Sequence, residues 1–108
     1  MKILFTDLDG TLLDQDKKIS PKNLEAIGHA SDQGNLTVIS TGRSLSSARP
    51  YINSLASVQR QCYAITYNGG LIYDCTSQKI IYKRTIPFPY VKYIFQQAEK
   101  FQIHCQTY

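Results

Sequence analysis

Two aspartates, Asp7 and Asp9, stand two residues apart directly after the short apolar run Ile3, Leu4 and Phe5, and Gly10 follows at once. In locally extended backbone, residues two apart project to the same side, so both carboxylates can face one site while Leu8 turns towards a core. Like charges held that close raise one another's pKa and attract a divalent cation, and their hard oxygen donors suit Mg²⁺. Gly10 lets backbone amides approach an anion closely. An isolated pair of this kind also makes a plain polar turn around a glycine. The apolar run before Asp7 and the Gly10-Thr11 step after it set this one apart.

Such a site needs elements to position it. Residues 3–5 are too few for a helix and apolar throughout, which predicts a central parallel strand covered on both faces. Ligands in open α/β sheets gather at the carboxyl ends of strands, which is where Asp7 falls. Ser20-Pro21 supplies an N-cap and a first-turn proline. Leu24, Ile27 and Ala30 follow at helical spacing and Gly34 suits a C-terminal cap, so a helix is predicted over about 21–33. A second buried strand over 36–39 runs into Ser40, Thr41, Gly42 and Arg43, and a helix opens at Ser44 that Pro50 is expected to break or kink. Residues 63–67 read as a third strand, Asn68-Gly69 as a tight hairpin turn into 71–73, and 79–85 as a further pairing strand. Beyond Pro87 and Pro89, Val91, Ile94, Phe95, Ala98 and Phe101 share one helical face, and 102–108 alternates like a strand. A helix and one strand do not close a layer of their own, so this stretch reads as the start of a second domain.

Composition narrows the class. The 108 residues are 43% hydrophobic and 19% charged, which fits a globular chain rather than a disordered one, and one core is what this length supports. No apolar run approaches the roughly 18 residues of a membrane-spanning helix, and the apolar start is too short for a signal peptide, so a cytoplasmic location is expected. The net charge of +4 hides an acidic start, where Asp7, Asp9, Asp14 and Asp16 outnumber Lys2. The basic remainder contains no Lys/Arg run, so small anions rather than nucleic acid are the expected partners. Cys62, Cys75 and Cys105 are too widely spaced for a CxxC motif and read as reduced packing residues, while Asp14, Asp16, Lys17 and Lys18 read as solvated. His29 and His104 lack any partner pattern and read as surface or packing residues.

The stretch Phe5-Thr6-Asp7-Leu8-Asp9-Gly10-Thr11-Leu12-Leu13 resembles the first motif of the haloacid dehalogenase superfamily, D-x-D-G-T. That resemblance implies that Asp7 is the nucleophile forming an aspartyl phosphate, that Asp9 is the acid and base, and that both serve a Mg²⁺ ion. The chemistry is consistent: an ordinary Asp is ionised at neutral pH and can attack, whereas an acid needs a pKa raised towards neutrality. Ion-pumping ATPases of the superfamily carry Thr at the second position; Asp9 resembles the phosphatases and phosphomutases. Val38-Ile39-Ser40-Thr41-Gly42-Arg43 and Tyr67-Asn68-Gly69-Gly70-Leu71-Ile72-Tyr73-Asp74 resemble segments of the Cof-type branch. They imply that the Thr41 hydroxyl donates to a phosphoryl oxygen and that Gly10, Gly42, Arg43 and Asn68 line the phosphate or substrate end of the cleft.

The resemblance implies an α/β fold, a doubly wound parallel Rossmann-like sheet, with residues 1–85 as the N-terminal half of its core and 86–108 as the beginning of an α/β cap. The branch's later lysine and acidic G-D-x-x-x-D segment have no counterpart here, so this segment alone is expected to be a poor catalyst. The branch's remaining strands would flank the first strand; without them its edge is bare, and self-association or membership of a longer polypeptide is expected. The implied activity is Mg²⁺-dependent hydrolysis of small phosphomonoesters, sugar phosphates or phosphorylated cofactors. The alternatives are a phosphomutase using the same Asp7, and a module that binds phosphate or a partner without turnover.

Overall fold

The computed structural model describes residues 1–107. Three strands, β1 (Ile3–Thr6), β2 (Leu36–Ser40) and β3 (Tyr63–Thr66), run parallel, and an antiparallel extension, β4 (Leu71–Asp74) and β5 (Lys79–Lys83), completes a sheet of order β1-β2-β3-β4-β5. Helices α1 (Pro21–Asp32) and α2 (Leu45–Ala56) make the crossovers from β1 to β2 and from β2 to β3. Two right-handed crossovers that step in the same direction place both helices on one face of the sheet. Accordingly Ile27 of α1 and Ala48, Ile52 and Leu55 of α2 share one cluster with Leu8, Ile39, Cys62 and Ala64. Residues 3–5, 36–39 and 63–67 thus become strands much as the apolar runs predict.

The helix boundaries follow from their caps. The Ser20 hydroxyl accepts the Asn23 N–H at 3.2 Å and Pro21 opens α1. Its far end is a Schellman turn, with Gly34 at φ +77° and the N–H groups of Gly34 and Asn35 donating to Ser31 and Ala30 carbonyls. Ser44 caps α2 in the same way through the Ser47 N–H. Of the break or kink expected at Pro50, no break occurs: α2 continues through it. Its cap holds one side, and the buried Ala48, Ile52 and Leu55 hold both sides to the core, which outweighs one missing N–H.

At Thr37 the β2–β3 ladder is replaced by a side chain. The Gln59 amide accepts the Thr37 N–H at 2.8 Å and donates to its carbonyl at 3.0 Å, in a buried setting. Each of those backbone groups left unpaired would cost about 1–3 kcal/mol, so Gln59 acts as a surrogate strand.

Two expectations are corrected. β1 is not covered on both faces: it is an edge strand, and Ile3, Leu4 and Phe5 are 45%, 60% and 58% exposed. Because side chains alternate along a strand, these exposures mean that both faces are open there. Its edge is bare, as the missing flanking strands imply. The predicted strand over 102–108 is also absent: a turn at Phe101 and Gln102 is followed by irregular chain through Thr107, and Tyr108 lies outside the described residues. Among the described residues, 102–107 pair with no strand. The preceding helix, α3 (Phe88–Lys100), forms where the periodicity predicts it, but buries only Ala98. The radius of gyration, 16.4 Å, accordingly exceeds the roughly 13 Å of a compact domain of 100 residues.

Candidate active site

Backbone conformation explains how the first loop presents its carboxylates. Asp7 (φ −78°, ψ 163°) and Asp9 (φ −75°, ψ 120°) are extended, so they project alike while Leu8 between them is fully buried. Burying that leucine contributes roughly 1.5–3 kcal/mol and anchors the loop from below. Gly10 then takes φ +75°, a left-handed conformation that a side chain would strain, and the chain folds back so that Leu12 and Leu13 donate to the Asp7 and Leu8 carbonyls.

The loop after β2 meets the loop after β3. Thr41, 5% exposed, donates its N–H to the Ile65 carbonyl at 2.9 Å, and its carbonyl accepts the Asn68 N–H at 3.2 Å. The Arg43 carbonyl accepts the Tyr67 N–H at 3.0 Å. Asn68 sits at φ 52° and presses on Gly42, where a Cβ would lie 2.8 Å from the Asn68 Oδ1. A side chain at position 42 would therefore have to displace the Asn68 amide. The hydroxyl of Thr41 accepts the Arg43 N–H at 3.2 Å, which leaves its proton free for another acceptor.

Arg43 ties these loops to the first. Its Nε and Nη2 donate to Asp9 Oδ2 and Oδ1, each at 2.7 Å, and its guanidinium carbon stands 5.2 Å from the centre of the Tyr51 ring. Lys17 adds a third bond, from Nζ to Asp9 Oδ1 at 3.1 Å. The structure thus brings together Asp9, Thr41, Gly42, Arg43 and Asn68 at the carboxyl ends of the parallel strands, with Asp7 and Gly10 on the same loop as Asp9. Among the described residues the Asp7 carboxylate makes no hydrogen bond or ion pair, whereas both oxygens of Asp9 are engaged.

This asymmetry sets the charge state of Asp9. An acid at position 9 calls for a raised pKa, yet the Arg43 guanidinium, and after it Lys17, holds the Asp9 carboxyl well below the usual carboxylate range. Arg43 is pushed up in turn by Asp9. A carboxyl depressed in the folded state keeps its ion pair down through the ordinary carboxylate range and loses it only in stronger acid. In this arrangement Asp9 is an ionised carboxylate whose two oxygens are both occupied by cationic side chains.

The sequence reading missed Lys17, Asp14 and Tyr51. Lys17 and Asp14 are not merely solvated: Asp14 Oδ1 accepts the N–H groups of Asp16 and Lys18, and this turn carries Lys17 at φ 59° towards Asp9. A signal existed in the Asp-x-Asp-Lys-Lys run between Leu13 and Ile19, which form an antiparallel bridge around it. Tyr51 carried none, because its stacking on Arg43 depends on where α2 docks.

An α/β sheet whose strand ends carry a free carboxylate, a forked Arg–Asp pair and a buried hydroxyl is built for anion chemistry. The chain belongs to the haloacid dehalogenase-like hydrolase family, which matches residues 4–108. It is 42% identical over 74 residues to the 5-amino-6-(5-phospho-D-ribitylamino)uracil phosphatase YcsE of Bacillus subtilis (strain 168), a match covering 68% of this chain and 28% of that protein. Over 107 residues it is 28% identical to the pyridoxal phosphate phosphatase YbhA of Escherichia coli (strain K12), covering 99% and 38%. A crystal structure of a haloacid dehalogenase-like hydrolase from B. subtilis superimposes with a TM-score of 0.80 at 28% identity, covering 94% of this chain and 34% of that one. The chain therefore spans between 28% and 38% of these three relatives.

Replacing Arg43 by Met is expected to return the Asp9 carboxyl towards the ordinary Asp range, and Lys17→Met to move it less far in the same direction. A carbon-detected NMR titration of the aspartate carboxyls measures both. An Asp9 that titrates unchanged in Arg43→Met would contradict the assignment of cause.

Proposed function

We propose that this chain supplies the nucleophilic part of a phosphomonoester hydrolase acting on small phosphorylated metabolites. The observation that carries the reading is the division between the two carboxylates: among the described residues the exposed Asp7 carboxylate has no partner, while Asp9 beside it is held by cations. An Asp7 oxygen attacks phosphorus, the bond to the ester oxygen breaks, and Asp9 in its protonated form gives its proton to that oxygen, so the alcohol leaves and an aspartyl phosphate remains. Water then attacks that phosphorus while Asp9 takes its proton, the bond from Asp7 to phosphorus breaks, and inorganic phosphate leaves with the Asp7 carboxylate restored. Thr41 and Asn68 would bind the phosphoryl oxygens, with Gly10 and Gly42 allowing close approach. Arg43 would leave Asp9 for the incoming phosphate, and the Asp9 carboxyl would then rise in pKa towards the value an acid needs.

Mg²⁺ fits the donor chemistry. Among the described residues no group of three or more His, Cys, Asp or Glu gathers, so Asp7 and Asp9 would hold the ion together with phosphate oxygens and water. When bound, the ion neutralises charge and aligns the phosphoryl group. Two carboxylates are a sparse set, which supports low turnover by the isolated chain. Sugar phosphates or phosphorylated cofactors are the substrates we favour; the 5-amino-6-(5-phospho-D-ribitylamino)uracil and pyridoxal phosphate phosphatases that resemble this chain support that range. We assign residues 1–85 to half of a catalytic core and 86–108 to the opening of a cap, supported by the sparse packing of α3.

In a longer polypeptide that contains this chain, phosphate release from such esters should require Mg²⁺ and fall by at least about a thousandfold in Asp7→Asn, with this chain alone giving little or none. Turnover that survives Asp7→Asn would remove the nucleophile. The open β1 edge further supports self-association of the isolated chain. Sedimentation should show concentration-dependent association that Leu4→Lys weakens; a monomer at every concentration would exclude it.

A further inference from the structure

Two of the three cysteines meet outside the site described above. In the β3–β4 ladder Tyr63 pairs with Asp74, and the next position outwards opposes Cys62 to Cys75. The register is closed by a hydrogen bond from the Cys75 N–H to the Cys62 carbonyl at 2.8 Å. Directly opposed residues of an antiparallel pair share a face of the sheet, and their Cα atoms stand roughly 5.5 Å apart where the backbone is hydrogen-bonded. A disulfide accepts separations of about 4.4–6.8 Å. Cys62 is 1% exposed and belongs to the core cluster, and Cys75 packs against that cluster from a half-buried position. Both thiols are free. The Cys62 Sγ donates to the Ile52 carbonyl at 3.8 Å and the Cys75 Sγ to the Tyr73 carbonyl at 3.9 Å.

We propose that Cys62 and Cys75 are a redox-sensitive pair that closes into a cross-strand disulfide by exchange with a small-molecule disulfide. Cys75, the accessible member, attacks one sulfur of the small disulfide; that S–S bond breaks, one small thiol leaves, and Cys75 carries the other half as a mixed disulfide. The Cys62 sulfur then attacks the Cys75 sulfur and expels the second small thiol. The two protein thiols are oxidised, the small disulfide is reduced, and each thiol proton ends on a released thiol. The product staples the open end of the β3–β4 hairpin. Residues 62–75 become a covalent ring, and the turn at its other end holds Asn68 against Gly42. Oxidation therefore restricts opening of a hairpin that carries part of the candidate site, whatever reaction that site performs.

The test treats the full chain with glutathione disulfide under native conditions. Intact mass should fall by two hydrogens, and peptide mapping without reductant should link Cys62 to Cys75. The urea midpoint should rise, amide exchange at Tyr67, Asn68 and Gly69 should slow, and dithiothreitol should reverse both. Cys105→Ala should keep every one of these changes, and Cys75→Ser, at a half-buried position, should lose them. A stable mass gain of one glutathione at Cys75, a link that uses Cys105, or no change in mass would each overturn the proposal.

Discussion

The fork between Arg43 and Asp9 is the contact on which the candidate site depends. Two bonds of 2.7 Å join the loop after β1 to the loop after β2, and backbone bonds from Thr41 and Arg43 carry the connection on to the loop after β3. Three strand ends are thereby held in one constellation. Both partners are solvent-accessible, so the pair is screened and contributes geometry more than stability. Its chemical effect is to separate two neighbouring carboxylates that differ little in sequence. Among the described residues one is left without a partner and the other is held ionised by Arg43 and Lys17.

Much of this was legible in the sequence because the relevant signals are local. The apolar runs before Asp7 and Thr41 had to be strands, and Ser20, Pro21, Gly34 and Ser44 fixed helix ends through hydrogen bonds within a few residues of themselves. The alternation around Leu8 gave the orientation of the carboxylates, because extended backbone leaves a fully buried side chain no other partner than the core. Asn68-Gly69 gave the turn, although its tightest contact, with Gly42, needed the fold to bring two loops together.

What the sequence did not show is what depends on docking or on absent neighbours. The direction of the Asp9 shift comes from Arg43, 34 positions away, and from a turn that lifts Lys17, so no spacing rule announces it. The exposure of Ile3, Leu4 and Phe5 has the same kind of cause: apolarity says that a strand is meant to be covered, not that a covering element is present. The same holds for α3, whose apolar face is correctly periodic yet buries only Ala98. Relatives roughly three times as long share the fold of this chain over nearly all of its length.

The account turns on whether Arg43 can exchange Asp9 for a phosphate. Titrating the Asp9 carboxyl by NMR in this chain, with and without saturating inorganic phosphate, measures that exchange directly. Release of Asp9 predicts a higher pKa when phosphate is bound, together with a shift in the Arg43 side-chain resonances. An Asp9 that titrates identically while phosphate occupies the loop would show that the fork is only structural, and the roles assigned to the two carboxylates would fail with it.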